Sequence, residues 1–165
     1  MCLKKAFGPA PDKGICLGDD TRWVVSGLSE FEPFFRDLSR LLPDSGAAIY
    51  LEGVSMAPDV RKFLEQHSIA AWHEVVRGTF WPKPLTYHLP ASPEILGDLA
   101  DLASRHAHSE IADHCHVYTR DGMILQWYDA GDPGCPLNVG ASVPEDRLRE
   151  FCALTGANYD TYKHR

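Results

Sequence analysis

Four of the eight histidines fall in two H-x-H pairs, His106-Ala107-His108 and His114-Cys115-His116, with Glu110 and Asp113 between them. On a strand, an H-x-H pair puts both imidazoles on one face, roughly 7 Å apart. That spacing suits a transition metal if a carboxylate completes the set, and Asp129 is placed to do so. Zinc takes such nitrogen and oxygen donors and keeps one position open in a catalytic site. His114, His116 and Asp129 are therefore the candidate metal ligands. The chain carries no H-E-x-x-H or H-x-E…C-x-x-C pattern, and no cofactor is implied beyond such a metal.

The same residues could work without metal. His114 held by Asp129 is an oriented imidazole, the arrangement a general base needs. His116 and Glu52 complete the candidate catalytic set. Glu52 ends an apolar run just before a helix, a place where open α/β sheets hold ligands. Its simpler reading is a solvated carboxylate at a strand end. Gly53-Val54-Ser55-Met56 lacks the glycine spacing and lysine of a phosphate loop. No G-x-S-x-G elbow is present. Cys115 alternates away from His114, which leaves Cys135 as the nearby thiol. The simpler reading of His114 and Asp129 is a structural cross-strand pair, worth up to ~1 kcal/mol.

These residues must be positioned by a hairpin over residues 112–129. Asp121-Gly122 between β-favouring runs is a strong two-residue turn signal. With that turn, Arg120 faces Met123, Thr119 faces Ile124, Tyr118 faces Leu125 and Val117 faces Gln126. His116 then faces Trp127, Cys115 faces Tyr128, and His114 faces Asp129. One face would carry His114, His116, Tyr118, Leu125, Trp127 and Asp129.

Further elements surround the hairpin. Arg22-Trp23-Val24-Val25-Ser26 reads as a strand. Ser29-Glu30-Phe31-Glu32 is a capping-box pattern, and Phe31, Phe34, Phe35, Leu38, Leu41 and Leu42 follow at helical spacing. Residues 46–52 form an apolar run suited to a strand covered on both faces. A helix is expected around 57–67, a strand over 85–89, and a helix begun by Ser92-Pro93-Glu94. Residues 70–83 resist assignment, although the prolines keep Trp81-Pro82-Lys83-Pro84 extended. Residues 137–139 read as a short strand. A second capping box at Ser142-Val143-Pro144-Glu145 opens the last helix, and Gly156 closes it. Phe31, Phe34, Phe35, Leu38, Ile49, Leu51, Leu99, Leu102 and Phe151 are expected in one core.

Helices alternating with strands, and one antiparallel hairpin, predict a single α/β (α+β) domain: a mixed sheet of about five strands covered by about four helices. The domain is placed at residues 21–157, after a flexible lead-in over 1–20 and before a polar tail over 158–165. The formal net charge of −7, with no basic run, argues against nucleic acid and against an anionic membrane surface. The amino terminus lacks the apolar core of a secretory signal, and no stretch approaches a membrane span. Five cysteines without a C-x-x-C pair argue against a disulfide framework. These features point to a cytoplasmic protein with reduced thiols. Two functions follow. The first is a non-catalytic protein-binding module, inhibitor- or immunity-like in character, meeting a protein partner or its own copies. The alternative is a small hydrolase-type enzyme using the hairpin's His/Asp site.

Overall fold

Alternation of apolar and polar residues along the strands fixes the architecture, because each strand sends successive side chains to opposite faces. In the computed structural model, which describes residues 14–18 and 22–162, seven strands form one sheet. They are β1 (Arg22–Ser26), β2 (Ala48–Gly53), β3 (Leu85–Pro90), β4 (His114–Thr119), β5 (Gly122–Trp127), β6 (Leu137–Gly140) and β7 (Asn158–Tyr162). Their order is β3-β2-β4-β5-β6-β1-β7, and every neighbouring pair is antiparallel.

One face is packed by helices: α1 (Phe31–Asp37), continued by a 3₁₀ turn (Leu38–Leu41), α2 (Pro58–His67), α3 (Pro93–Ala103), α4 (His108–Ile111) and α5 (Glu145–Thr155). Phe31, Phe34 and Phe35 lie on one side of α1 and are buried. Phe31 and Phe34 each pack on Trp127 of β5, with ring centroids 5.2 Å apart. Such aromatic pairs contribute ~0.5–1.5 kcal/mol each beyond the area they bury. All the core residues expected from periodicity, from Phe31 to Phe151, are buried in this one cluster. One sheet runs through the whole fold and one large cluster fills its helical face, which makes this one domain.

The sheet differs from the expected one in two ways. It has seven strands, not about five, because residues 137–140 and 158–162 both join it. The segment read as a polar tail is β7 as far as Tyr162. It holds to β1 by a full backbone ladder and by Trp23 against Tyr159 and the Arg22 guanidinium over Tyr162. The sheet is also antiparallel, not mixed. After α2 the chain passes the β3 edge, where Ile69 N–H donates to the His88 carbonyl. It then crosses the second face of the sheet before returning as β3. That long irregular path reverses direction, whereas a short crossover would have kept the strands parallel.

Capping is right at two ends and wrong at two. Ser92 Oγ accepts from Ile95 N–H at 3.3 Å, and Gly156 closes α5 at φ 73°. Neither Ser29 nor Ser142 caps, since α1 begins after Glu30 and α5 after Pro144, both without a side-chain cap bond. No helix among the described residues is long and apolar enough to cross a membrane.

Candidate functional site

The face of the sheet away from the helices is polar and aromatic. Pairing of β2 with β4 sets Tyr50 opposite His116 and Glu52 opposite His114. Pairing of β4 with β5 sets His116 opposite Gln126. Tyr50, Glu52, His114, His116 and Gln126 are all nearly or fully buried. Their cover is the irregular segment 69–83, joined by residues 14–17: Ile15 bridges Val75, and Leu17 N–H donates to Gln126 Oε1.

Glu52 is the centre of this layer. Its solvent exposure is 0%, so the solvated reading is corrected. The carboxylate accepts from Tyr50 Oη–H at 2.6 Å and from the backbone N–H groups of Gly78 and Thr79. Burial raises the Tyr50 pKa, and the hydrogen bond to Glu52 adds to the rise. The tyrosine therefore stays a donor. Two consecutive amides on one buried carboxyl group fasten the covering loop to the sheet.

His114 lies under the same loop. Its Nδ1 accepts from the backbone N–H of Asp129 at 2.9 Å, which leaves Nε2–H to donate to Thr79 Oγ1 at 2.9 Å. Gly78 sits flat on the imidazole: a Cβ there would come 2.3 Å from the ring. His116 stacks on Tyr50 and meets Tyr128 edge-on. Its Nδ1 accepts from Trp127 N–H, while Nε2 is buried without a partner. Burial, with His114 nearby, pulls its pKa down to about 3. Burial likewise pushes Tyr128 up to about 12.

The hairpin register departs from the expected one. The two loop residues are Arg120 and Asp121, with Thr119 paired to Gly122 and Tyr118 to Met123. A bulge then leaves Ile124 unpaired, and Val117 faces Leu125, His116 faces Gln126 and Cys115 faces Trp127. His116 is therefore not across from Trp127. Asp129 falls beyond β5, in a left-handed conformation at φ 45°. It meets His114 through its backbone amide. Its carboxylate is 59% exposed, 3.8 Å from Nδ1, an atom already occupied as an acceptor. The expected carboxylate–imidazole pair is thus an amide–imidazole bond.

Of the candidate residues, the fold brings Glu52, His114 and His116 together under the loop, and sets the Asp129 side chain at the rim. His114 Nε2 and Glu52 Oε1 are 4.0 Å apart, too far for a hydrogen bond. The other H-x-H pair goes elsewhere: His106 bonds Asp59 at 2.8 Å and His108 packs on Gly131. Among the described residues, no group of three or more His, Cys, Asp or Glu side chains is arranged to hold a metal ion. Cys135 is disulfide-bonded and offers no thiolate, which corrects the all-reduced reading, whereas Cys16, Cys115 and Cys152 are free thiols.

Sequence reasoning missed Tyr50, Gly78 and Thr79. Tyr50 and Glu52 are two apart on one strand, so their shared face was readable. What was missing was the adjacency of β2 and β4. Gly78 and Thr79 lie in the segment with no periodic signal. That segment includes Phe80 and Trp81, which are 82% and 83% exposed. No family model, no curated protein and no solved structure matches this chain.

Proposed function

We propose that this protein is a non-catalytic protein-binding module, and that the loop over residues 77–84 is its recognition element. The observation that carries the reading is the pair Phe80 and Trp81, two adjacent large aromatics standing in solvent at 82% and 83% exposure. Scattered single apolar side chains at a surface are ordinary, whereas contiguous large ones mark interaction sites. Tryptophan in particular is enriched at the residues that dominate binding energy.

The base of the loop is fastened to the sheet. Gly78 and Thr79 are bonded to buried Glu52, and Thr79 also to His114. Prolines at 82 and 84 restrict the chain on the other side. A tip ordered before contact loses less entropy on binding. The buried Glu–His–Tyr layer then serves as a mount, with its hydrogen-bonding capacity largely consumed internally. His116 at a pKa near 3 is neutral at physiological pH, and the Gly78 backbone occupies the face of His114. A hydrolytic site would need those rings open to substrate. The acidic chain supports a protein partner over nucleic acid.

The test is affinity capture from the source cell with the wild-type protein and with Phe80→Ser/Trp81→Ser, each checked for an unchanged melting temperature. A defined protein should be retained by the wild type and lost from the variant. Identical captured sets would sink the reading.

A further inference from the structure

We propose that the free edge of β7 pairs with the same strand of a second copy of this chain, giving a two-fold antiparallel dimer. β7 ends the sheet, with β1 on one side and no strand on the other. Its ladder to β1 runs from Asn158 to Tyr162 without a bulge, so the whole strand is held extended. Alternate residues of an antiparallel strand then point their N–H and C=O groups away from β1, a template for another strand. Asn158-Tyr159-Asp160-Thr161-Tyr162 contains no proline or lysine, the residues that commonly blunt an edge.

Two charges identify the partner. The register sets Arg22 of β1 beside Tyr162 and Val24 beside Asp160, so all four side chains share one face of the sheet. The Arg22 guanidinium lies over the Tyr162 ring, 4.3 Å from its centroid, and its Nε is buried without a hydrogen-bond partner. Asp160 is exposed. Among the described residues, neither Arg22 nor Asp160 takes part in an ion pair.

A two-fold axis normal to the sheet pairs β7 with its copy about one self-opposed residue, because cross-strand partners share a face. Asp160 on the axis would set two carboxylates directly opposite, which is destabilising. Tyr159 on the axis would set Asp160 against Asn158 and leave Arg22 unanswered. Thr161 on the axis opposes two threonines, a favourable pair, and sets each Asp160 opposite Tyr162 of the partner subunit. Arg22 of the partner subunit is the next residue in that row, roughly 10 Å away across two strand spacings. Its guanidinium already reaches over the intervening tyrosine. Two Asp160–Arg22 pairs, related by the axis, then join charges that one chain leaves apart. Asp160 to Tyr162 suffice on each side, so the contact is small and belongs to the weak, transient class.

Sedimentation velocity over roughly 10 μM to 1 mM spans that class. The wild-type average mass should rise with concentration towards twice that of the monomer. Asp160→Arg and Arg22→Asp should each stay monomeric, because each sets like charges across the axis. An equimolar mixture of the two should form a 1:1 pair, since both cross-axis pairs are then of opposite sign. Phe80→Ser/Trp81→Ser should assemble as the wild type does, which separates this contact from the tip. A monomeric wild type, an Asp160→Arg variant that assembles, a tip variant that does not, or a mixture of folded variants that stays monomeric would each overturn the proposal. Thr161→Cys tests the register without touching either charge, in a Cys16→Ser background that removes the exposed free thiol. Directly opposed Cα atoms lie ~4.5–5.5 Å apart, within the span of a disulfide. Mild oxidation at the same concentrations should cross-link Thr161→Cys and not Tyr162→Cys, whose two copies are offset by two residues along the strand. No cross-link at position 161, or equal yields at both positions, would overturn the pairing even if Arg22→Asp fails to fold.

Discussion

Glu52 shows how one side chain can organise a layer. It is buried among donors, and Tyr50 and the amides of Gly78 and Thr79 satisfy its oxygens, as a buried polar group requires. Glu52→Ala strands the Tyr50 hydroxyl and two loop amides, which should cost about 2–4 kcal/mol. At ~2–4 °C per kcal/mol for a chain of this size, the loss is readable in a thermal melt. Glu52→Gln keeps one acceptor oxygen and should cost clearly less; equal losses in both would mean that the carboxylate is not the fastening. His116 makes a separate prediction. Its folded pKa is about 3, against ~6.5 in the unfolded chain. Between those values the unfolded state binds more protons, so acidification destabilises the fold by up to ~1.4 kcal/mol per pH unit. His88, also lowered by burial, acts in the same direction. His116→Asn, which keeps an acceptor for Trp127 N–H, should flatten the urea midpoint's fall between pH 6.5 and 4.5. An unchanged slope would exclude His116 as its source.

At the scale of elements, the hairpin explains why alternation is more legible than register. The faces of β4 follow from the sequence alone: His114, His116 and Tyr118 on one side, Cys115 and Val117 on the other. Its pairing with β5 does not, because Asp121-Gly122 supplies a good turn one residue from the turn used. Thr119 Oγ1 accepts from Asp121 N–H and donates to the Gly122 carbonyl, closing the loop over Arg120 and Asp121. The bulge at Ile124 then puts Leu125 and Trp127 on the core face with Val117 and Cys115. Burial of those two side chains outweighs the regular ladder. Matching apolar with apolar across the strands would have demanded this slip. The glycine is used just past the turn, at φ 146°. Gly122→Ala meets no atom within 4 Å, so its expected loss of about 1 kcal/mol is purely conformational. Gly97 lies inside α3, also with open space around a Cβ. There the same change should stabilise by ~0.5–1 kcal/mol. Thermal melts of the two variants should move in opposite directions, and a stabilised Gly122→Ala would refute the hairpin geometry.

The whole molecule is one sheet with unlike covers, and this sets what the sequence could disclose. Helix stripes and apolar strands declared the core face, since burial there demands periodicity. The second face is covered by chain without periodicity, held by hydrogen bonds to Glu52, His114 and Gln126. Nothing local in residues 70–83 encodes that attachment, and β7 hid because its residues read as polar although its ladder to β1 is complete. A stability hierarchy follows. The core-face elements share one cluster of buried apolar side chains. The cover instead buries a smaller set, with Ile15, Ile69, Trp72 and Val75 packing around Ala48, Tyr50 and Tyr118. Opening free energy tracks buried apolar contact, so the cover should open sub-globally while the sheet stays paired. In native-state hydrogen exchange, the Gly78 and Thr79 amides should exchange through an opening well below the global free energy. Central amides of β2 and β4 should exchange only through global unfolding. Gly78→Ala, whose methyl would strike the His114 ring, should lower the opening energy of the cover more than that of the sheet. A variant in which both fall together would show the cover and the core to be a single cooperative unit.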